Sequence, residues 1–418
     1  RSKDSPLTIV HEEPTHTTTL SGRCSCYVSI GPEEFFGLVS PHTDRWGNTS
    51  LRRLGAGSSS TEWLNQHKIQ FSPHLRQLNL CWHESPSTET LITRFSGVTE
   101  CLLELTLQNL HVSSADIIRI LSTSDRMTSL DLETLLVSEQ ENDVLPDNSL
   151  SSARPPTIDL SCLKKLRLKG LPPSLFSLVV EGVNTSNLEK VTISHRFATE
   201  ENSAPSHDPF ASFVARLLVT LSSISVRPHS AGVTLAHFSK SACECDIELQ
   251  GAASVVLPWL RLHSFPQFTQ EYSVALVISS DELGDPEQVI IDNLMHFPKV
   301  GSVELKGSSE SWRWAWLLSL PDAVKRTVGP ERTTKSWLWP DLEHLNIHGD
   351  NVDEFTILSL LLARYGSRHT EKLISQKRAA PRQLAKLEVR PGGNEWRPEV
   401  VDRIRELLGP GCFQWKTT

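Results

Sequence analysis

Along this chain apolar residues return at positions 1, 4 and 6 of a recurring hexamer. The pattern is clearest in Leu102-x-x-Leu105-x-Leu107 and Met127-x-x-Leu130-x-Leu132. Alternation at the end of each hexamer predicts a strand with Leu105 and Leu107 on one face and Glu104, Thr106 and Gln108 on the other. Between the two hexamers, Ser113 followed by Asp116 reads as a capping pair opening a helix. Ile117, Ile118 and Leu121 then recur at helical spacing.

The same hexamer starts at Leu75, Leu102, Met127, Leu163 and Leu188, and again at Leu257 (LPWLRL), Val300, Leu342 and Leu384. Successive starts lie 27, 25, 36, 25, 69, 43, 42 and 42 residues apart. The shorter intervals fall in the range of leucine-rich repeats. The 69-residue interval has room for a degenerate repeat, with Asp246–Gln250 as its candidate strand. Helices are expected at Pro32–Val39, Pro286–His296, Asp353–Tyr365 and Pro398–Leu408, the last two closed by Gly366 and Gly409. A short strand is expected over Tyr27–Ile30.

Strands alternating with helices predict an α/β fold, an irregular leucine-rich-repeat solenoid with a curved parallel sheet and outer helices. Leu110, Leu135 and Leu171 stand where a regular repeat carries asparagine or cysteine, so an uneven arc is expected. Residues 1–20 read as a disordered segment, 21–72 as a lead-in cap and 73–418 as the repeat array. Polar insertions fall near 138–157, 196–210 and 308–340.

Composition narrows the function. The 418 residues carry a formal charge of -8, which argues against nonspecific nucleic-acid binding. No run of about 20 apolar residues predicts a membrane span. The eight cysteines are scattered apart from Cys24-x-Cys26 and Cys243-x-Cys245, which favours an intracellular chain, cytoplasmic or nuclear, with buried thiols. His11, Glu12 and His16 miss a zinc-protease spacing by one residue, and Pro14 breaks the turn between them. No phosphate loop or nucleophile elbow stands out, so no catalytic, metal or cofactor residue is assigned and the chain reads as a non-enzyme.

With its lead-in FFGLVSPHTDRWGNTSL, its spread of L-x-x-L-x-L strands and its closing LAKLEV with a last helix, the chain resembles the fungal F-box-type proteins with irregular leucine-rich repeats. The resemblance implies a substrate-holding repeat array attached to a cullin-type ubiquitin ligase through an F-box. No F-box pattern precedes residue 21, and a chain opening on Arg1 reads as part of a longer one. The other expectation is a leucine-rich-repeat scaffold unrelated to ubiquitin.

Partner-binding candidates are the polar residues that alternate with the leucines: Glu104, Thr106, Asp131, Glu133, Lys165, Arg167, Lys169, Lys190, His344 and Asn346. The basic strand Lys165, Arg167, Lys169 has two readings. It grips an acidic or phosphorylated peptide, or it pairs across strands with Asp131 and Glu133. If Ser311–Lys325 is helical, Trp312 and Trp316 share a face and Trp314 points elsewhere; these tryptophans are either binding anchors or covered by the insertion. The basic run Arg364–Arg390 reads most simply as the solvated face of the last repeats, with a partner site as the other reading.

Overall fold

The computed structural model describes residues 6–12, 32–54, 69–70, 72, 74–82, 95–96, 100–138, 158–197, 208–221, 223–229, 231–237, 243–263, 273–279, 293–294, 297, 299–307, 311–320, 324–328, 332–349, 352–366, 381–391 and 395–415. The chain divides into two compact units, Arg1–His195 and Arg196–Thr418. Both are mixed α/β with a mostly parallel sheet.

In the first unit the strands are β1 (Leu7–Glu12), β2 (Trp46–Leu54), β3 (Ile69–Gln70), β4 (Gln77–Trp82), β5 (Phe95–Ser96), β6 (Glu104–Gln108), β7 (His111–Ser113), β8 (Ser129–Glu133), β9 (Leu136–Ser138), β10 (Lys165–Lys169) and β11 (Lys190–Arg196). The main sheet runs β1-β2-β4-β6-β8-β10-β11, and every pairing in it is parallel. Two short parallel pairs, β3 with β5 and β7 with β9, lie outside it. Helices α1 (Pro32–Val39), α2 (Ser114–Thr123) and α3 (Pro173–Gly182) complete the unit.

The hexamer explains the local structure. Its position 1 residue ends a turn: the amides of Leu75, Met127, Leu163 and Leu188 donate to the carbonyls of Ser72, Ser124, Leu160 and Thr185. At position 2 the amide donates to the preceding repeat, from Leu103 to Arg76, Thr128 to Leu103, Lys164 to Thr128 and Glu189 to Lys164, over 2.7–2.9 Å. Positions 4 and 6 stack as buried rows, Leu78-Leu105-Leu130-Leu166-Val191 and Leu80-Leu107-Leu132-Leu168-Ile193, each residue at most 2% exposed. Ile117, Ile120 and Leu121 of α2, with Leu175, Phe176, Val179 and Val180 of α3, are buried as well. At roughly 25 cal/mol per Å² of apolar surface, these rows are the main favourable term holding the sheet.

The second unit contains β12 (Ser223–His229), β13 (Gly232–His237), β14 (Glu244–Gln250), β15 (Ser273–Ser279), β16 (Val300–Lys306), β17 (Val324–Val328), β18 (Arg332–Ser336), β19 (His344–Gly349), β20 (Lys386–Pro391) and β21 (Phe413–Trp415). Its sheet runs β14-β13-β12-β15-β16-β19-β20-β21. The pairings β12–β13 and β13–β14 are antiparallel and the rest parallel. The helices are α4 (Pro209–Thr220), α5 (Ala253–His263), α6 (Ser311–Ser319), α7 (Glu354–Tyr365) and α8 (Pro398–Leu408).

Eight of the nine hexamers lead into strands. The ninth, LPWLRL, lies inside α5, where Val256, Leu257 and Leu260 make a buried helical stripe. Asp246–Gln250 does form a strand, within β14, but an antiparallel one. The segment read as disordered contains β1, which pairs with β2 from Leu7 to Glu12. Ser113 precedes α2 without capping it: Asp116 instead accepts from the Phe95 amide at 2.9 Å and pairs with Arg119 at 3.0 Å. The helix expected over Ser311–Lys325 stops at Ser319, and the insertion continues as the antiparallel pair β17–β18. The helices at Asp353 and Pro398 begin and end as expected, with Asp353 capping the Thr356 amide at 2.7 Å. Tyr27–Ile30 and most of Pro286–His296 lie outside the described residues.

Candidate functional site

Parallel pairing stacks the polar residues of the first unit into three rows. They are Gln77-Glu104-Ser129-Lys165-Lys190, Asn79-Thr106-Asp131-Arg167-Thr192 and Cys81-Gln108-Glu133-Lys169-Ser194. These side chains are exposed or half-exposed, with the buried leucine rows behind them. Glu104, Thr106, Asp131, Glu133, Lys165, Arg167, Lys169 and Lys190 therefore share one face. His344 and Asn346 belong to the second unit.

Charges on this face are paired across strands. Arg167 spreads its guanidinium between two carboxylates, 3.2 Å from Asp131 and 2.6 Å from Glu133, and Lys169 reaches Glu133 at 3.0 Å. Of the two readings of the basic strand, cross-strand pairing is the one seen at Arg167 and Lys169. Gln108 donates to Asp131 Oδ2 at 3.1 Å, and the Cys81 thiol donates to Asn79 and Gln108. Asp131 Oδ1 is enclosed without a hydrogen-bond partner among the described residues. Burial pushes the Asp131 carboxyl above the ordinary carboxylate range, against the pull of Arg167 and Gln108. Burial also pushes the Cys81 thiol up to about 11, so it is a protonated donor and not a nucleophile at neutral pH.

The second unit carries a comparable polar field, with its ion pairs mostly within strands. Its rows are Ser302-His344-Lys386, Glu304-Asn346-Glu388-Gln414 and Lys306-His348-Arg390. Arg390 donates twice to Glu388 Oε1, at 3.0 and 2.8 Å, and Lys386 stands 3.1 Å from Oε2. Lys306 lies 3.4 Å and His348 3.5 Å from Glu304. Burial and the neighbouring Arg390 hold the His348 imidazole below its ordinary pKa, which leaves it neutral at neutral pH.

The tryptophans divide. Trp314, Trp337 and Trp339 are buried, and Trp314 stacks on Trp339 with ring centroids 5.7 Å apart. Trp316 is 53% exposed, and the Trp312 side chain lies outside the described residues. Cys243 and Cys245 are buried, and burial raises both thiols, Cys243 to about 11. Among the described residues no group of three or more His, Cys, Asp or Glu is placed to hold a metal ion, and no helix is long and apolar enough to cross a membrane.

One concave feature lies in the irregular 196–280 region, where the sequence leaves room for a pocket without marking the residues that line it. Ser225, Arg227, Thr234, Ala236, Asp246 and Glu248 line a depression in the antiparallel part of the second unit. Its signal was available, since Ile224, Val226, Val233, Leu235, Cys245, Ile247 and Leu249 alternate strictly with these polar and small residues. The search for L-x-x-L-x-L passes over strands that lack the leading leucine. No protein-family model matches this chain, and no curated protein matches it.

Proposed function

We propose that the chain is a non-enzymatic leucine-rich-repeat-like solenoid that holds a protein partner on the polar face of its parallel strands. The reading extends to the substrate-recognition part of an F-box-type ubiquitin-ligase receptor, with docking on a cullin-type ligase through an F-box outside this sequence. The observation that carries the protein-holding role is the set of three in-register polar rows on a rigid leucine backing. Such a surface offers hydrogen-bonding groups at fixed spacing. The ubiquitin link rests on the family resemblance of the sequence.

Affinity purification of the chain in its full-length form, followed by mass spectrometry, tests both parts. The expected result is cullin-ligase subunits together with one further protein that is lost from the Lys165→Glu, Lys190→Glu double variant. Both side chains are exposed, so the variant should melt with the wild type. A partner held equally by the variant overturns the assigned face. A partner captured without ligase subunits favours the scaffold.

A further inference from the structure

Over three strands of the second unit the sheet turns back on itself. β12, β13 and β14 form an antiparallel meander, and register sets Ser225, Ala236 and Asp246 in one row with Arg227, Thr234 and Glu248 in the next. All six line a depression of about 380 Å³. It exists because Ser225, Ala236 and Thr234 carry short side chains, while Arg227 on β12 and Asp246 and Glu248 on β14 carry longer ones. The row continues on β15 with another short residue, Ala275. Beneath the floor, Ile224, Val226, Val233, Leu235, Ile247 and Leu249 are buried, so the hollow is backed by packed core.

Charge is distributed unevenly around this hollow. Arg227 stands on β12, and Asp246 and Glu248 stand on β14, with β13 between them. Two strand spacings separate the walls by about 9.6 Å of backbone. Neither Arg227 nor Asp246 forms an ion pair with another described residue. Elsewhere on the sheets opposite charges close on one another, as Arg167 does on Asp131 and Glu133. Here Arg227 and Asp246 are held apart over an open floor.

We propose that the depression binds a zwitterion whose ammonium and carboxylate are separated by a short alkyl chain. The carboxylate lies against the Arg227 guanidinium fork, which suits planar anions, and the ammonium lies beside Asp246. The alkyl chain crosses Ala236 and Ser225. An α-amino acid of short side chain carries both charges on one carbon and does not reach both walls. Two sources share this chemistry: a free ω-amino acid, and the C-terminal lysine of a polypeptide, which offers a side-chain ammonium and a terminal carboxylate. The site does not depend on the protein-holding role proposed above.

Calorimetric titration of the whole chain with 6-aminohexanoate tests the proposal. Binding is expected, with hexylamine, hexanoate and alanine each weaker by at least about ten-fold. Arg227→Gln and Asp246→Asn, both at exposed positions, should each weaken binding by about ten-fold without moving the melting temperature. Ala236→Leu should fill the floor and abolish binding. A peptide ending in lysine identifies a polypeptide source if it outbinds 6-aminohexanoate and loses that advantage on C-terminal amidation; a peptide that binds no better points to a free ω-amino acid. No binding of 6-aminohexanoate, equal binding of hexylamine, or full affinity in Arg227→Gln overturns the proposal.

Discussion

At the scale of single residues, Arg364 shows how far a charge departs from its ordinary place. It sits in α7, 2% exposed, and donates to three backbone carbonyls: Leu318 and Leu338 at 3.2 Å and Trp339 at 3.1 Å. Its guanidinium also lies 5.5 Å from the centre of the Trp337 ring. One side chain thus ties the end of α6 to the turn before β19, whose Trp339 has a positive φ of 45°. Burial lowers the Arg364 pKa from a value so high that the group stays charged. Arg364→Met keeps the stem and removes the donor from the Leu318 and Leu338 carbonyls, while the Trp339 carbonyl keeps the Leu342 amide, so a loss of about 2–4 kcal/mol is expected in urea unfolding. Arg364→Lys should recover only part of it, because a compact ammonium does not reproduce the planar fork. A loss under about 1 kcal/mol would show that water takes over those carbonyls. The sequence reading placed Arg364 at the head of a solvated basic run, yet the information was there. Ile357, Leu360 and Leu361 precede it by seven, four and three residues, so helical periodicity puts Arg364 on the buried stripe.

At the scale of the element, each strand must leave the sheet sharply before its helix or return segment. The residue two beyond the hexamer does this in four repeats: Asn109, Thr134, Gly170 and Gly307 have φ of 55°, 50°, 59° and 105°. In two of them the amide of that residue reaches the neighbouring repeat, Asn109 to the Glu133 carbonyl and Thr134 to the Lys169 carbonyl. Asn109 also donates from its side chain to the Trp82 carbonyl at 3.2 Å. Asparagine and glycine accept the left-handed region, whereas β-branched threonine resists it. Thr134→Gly should therefore raise stability by about 1 kcal/mol, the relieved strain exceeding the added unfolded-chain entropy, as read from the midpoint of chemical unfolding. A destabilised variant would mean that the Thr134 side chain contributes more than its backbone costs. The hexamer predicted strands in eight of nine places because the alternation of its last three positions fits the period of a strand. Three positions are too few to exclude a helix: LPWLRL has the same alternation at Leu260 and Leu262, yet its spacing of three puts Leu257 and Leu260 on one helical face, and it folds into α5.

For the whole molecule the rows of polar residues were legible, because period two assigns faces without any knowledge of neighbours. How those rows use their charges was not. Which lysine or arginine meets which carboxylate depends on lateral order and register, and Asp131 and Arg167 are 36 positions apart in the chain but adjacent in the sheet. The pairing neutralises Arg167 and Lys169, two of the three basic residues on β10, within a chain of formal charge -8. The whole chain should accordingly pass through immobilised heparin at about 0.15 M salt, where exposed unpaired clusters still act over roughly 8 Å. Asp131→Asn with Glu133→Gln removes two negative charges and takes the formal charge from -8 to -6, still acidic overall. It nevertheless releases Arg167 and Lys169 beside Lys165 and Lys190 on one surface, and this variant should be retained on the column. Retention of the wild type would mean that the ion pairs do not mask the basic strand. Passage of both proteins would mean that the strand is too weakly basic to hold a polyanion even when unmasked. Retention of the variant alone would show that the acidic neighbours on β8 set the partner preference of this face, by neutralising a surface that its own strand would otherwise make positive.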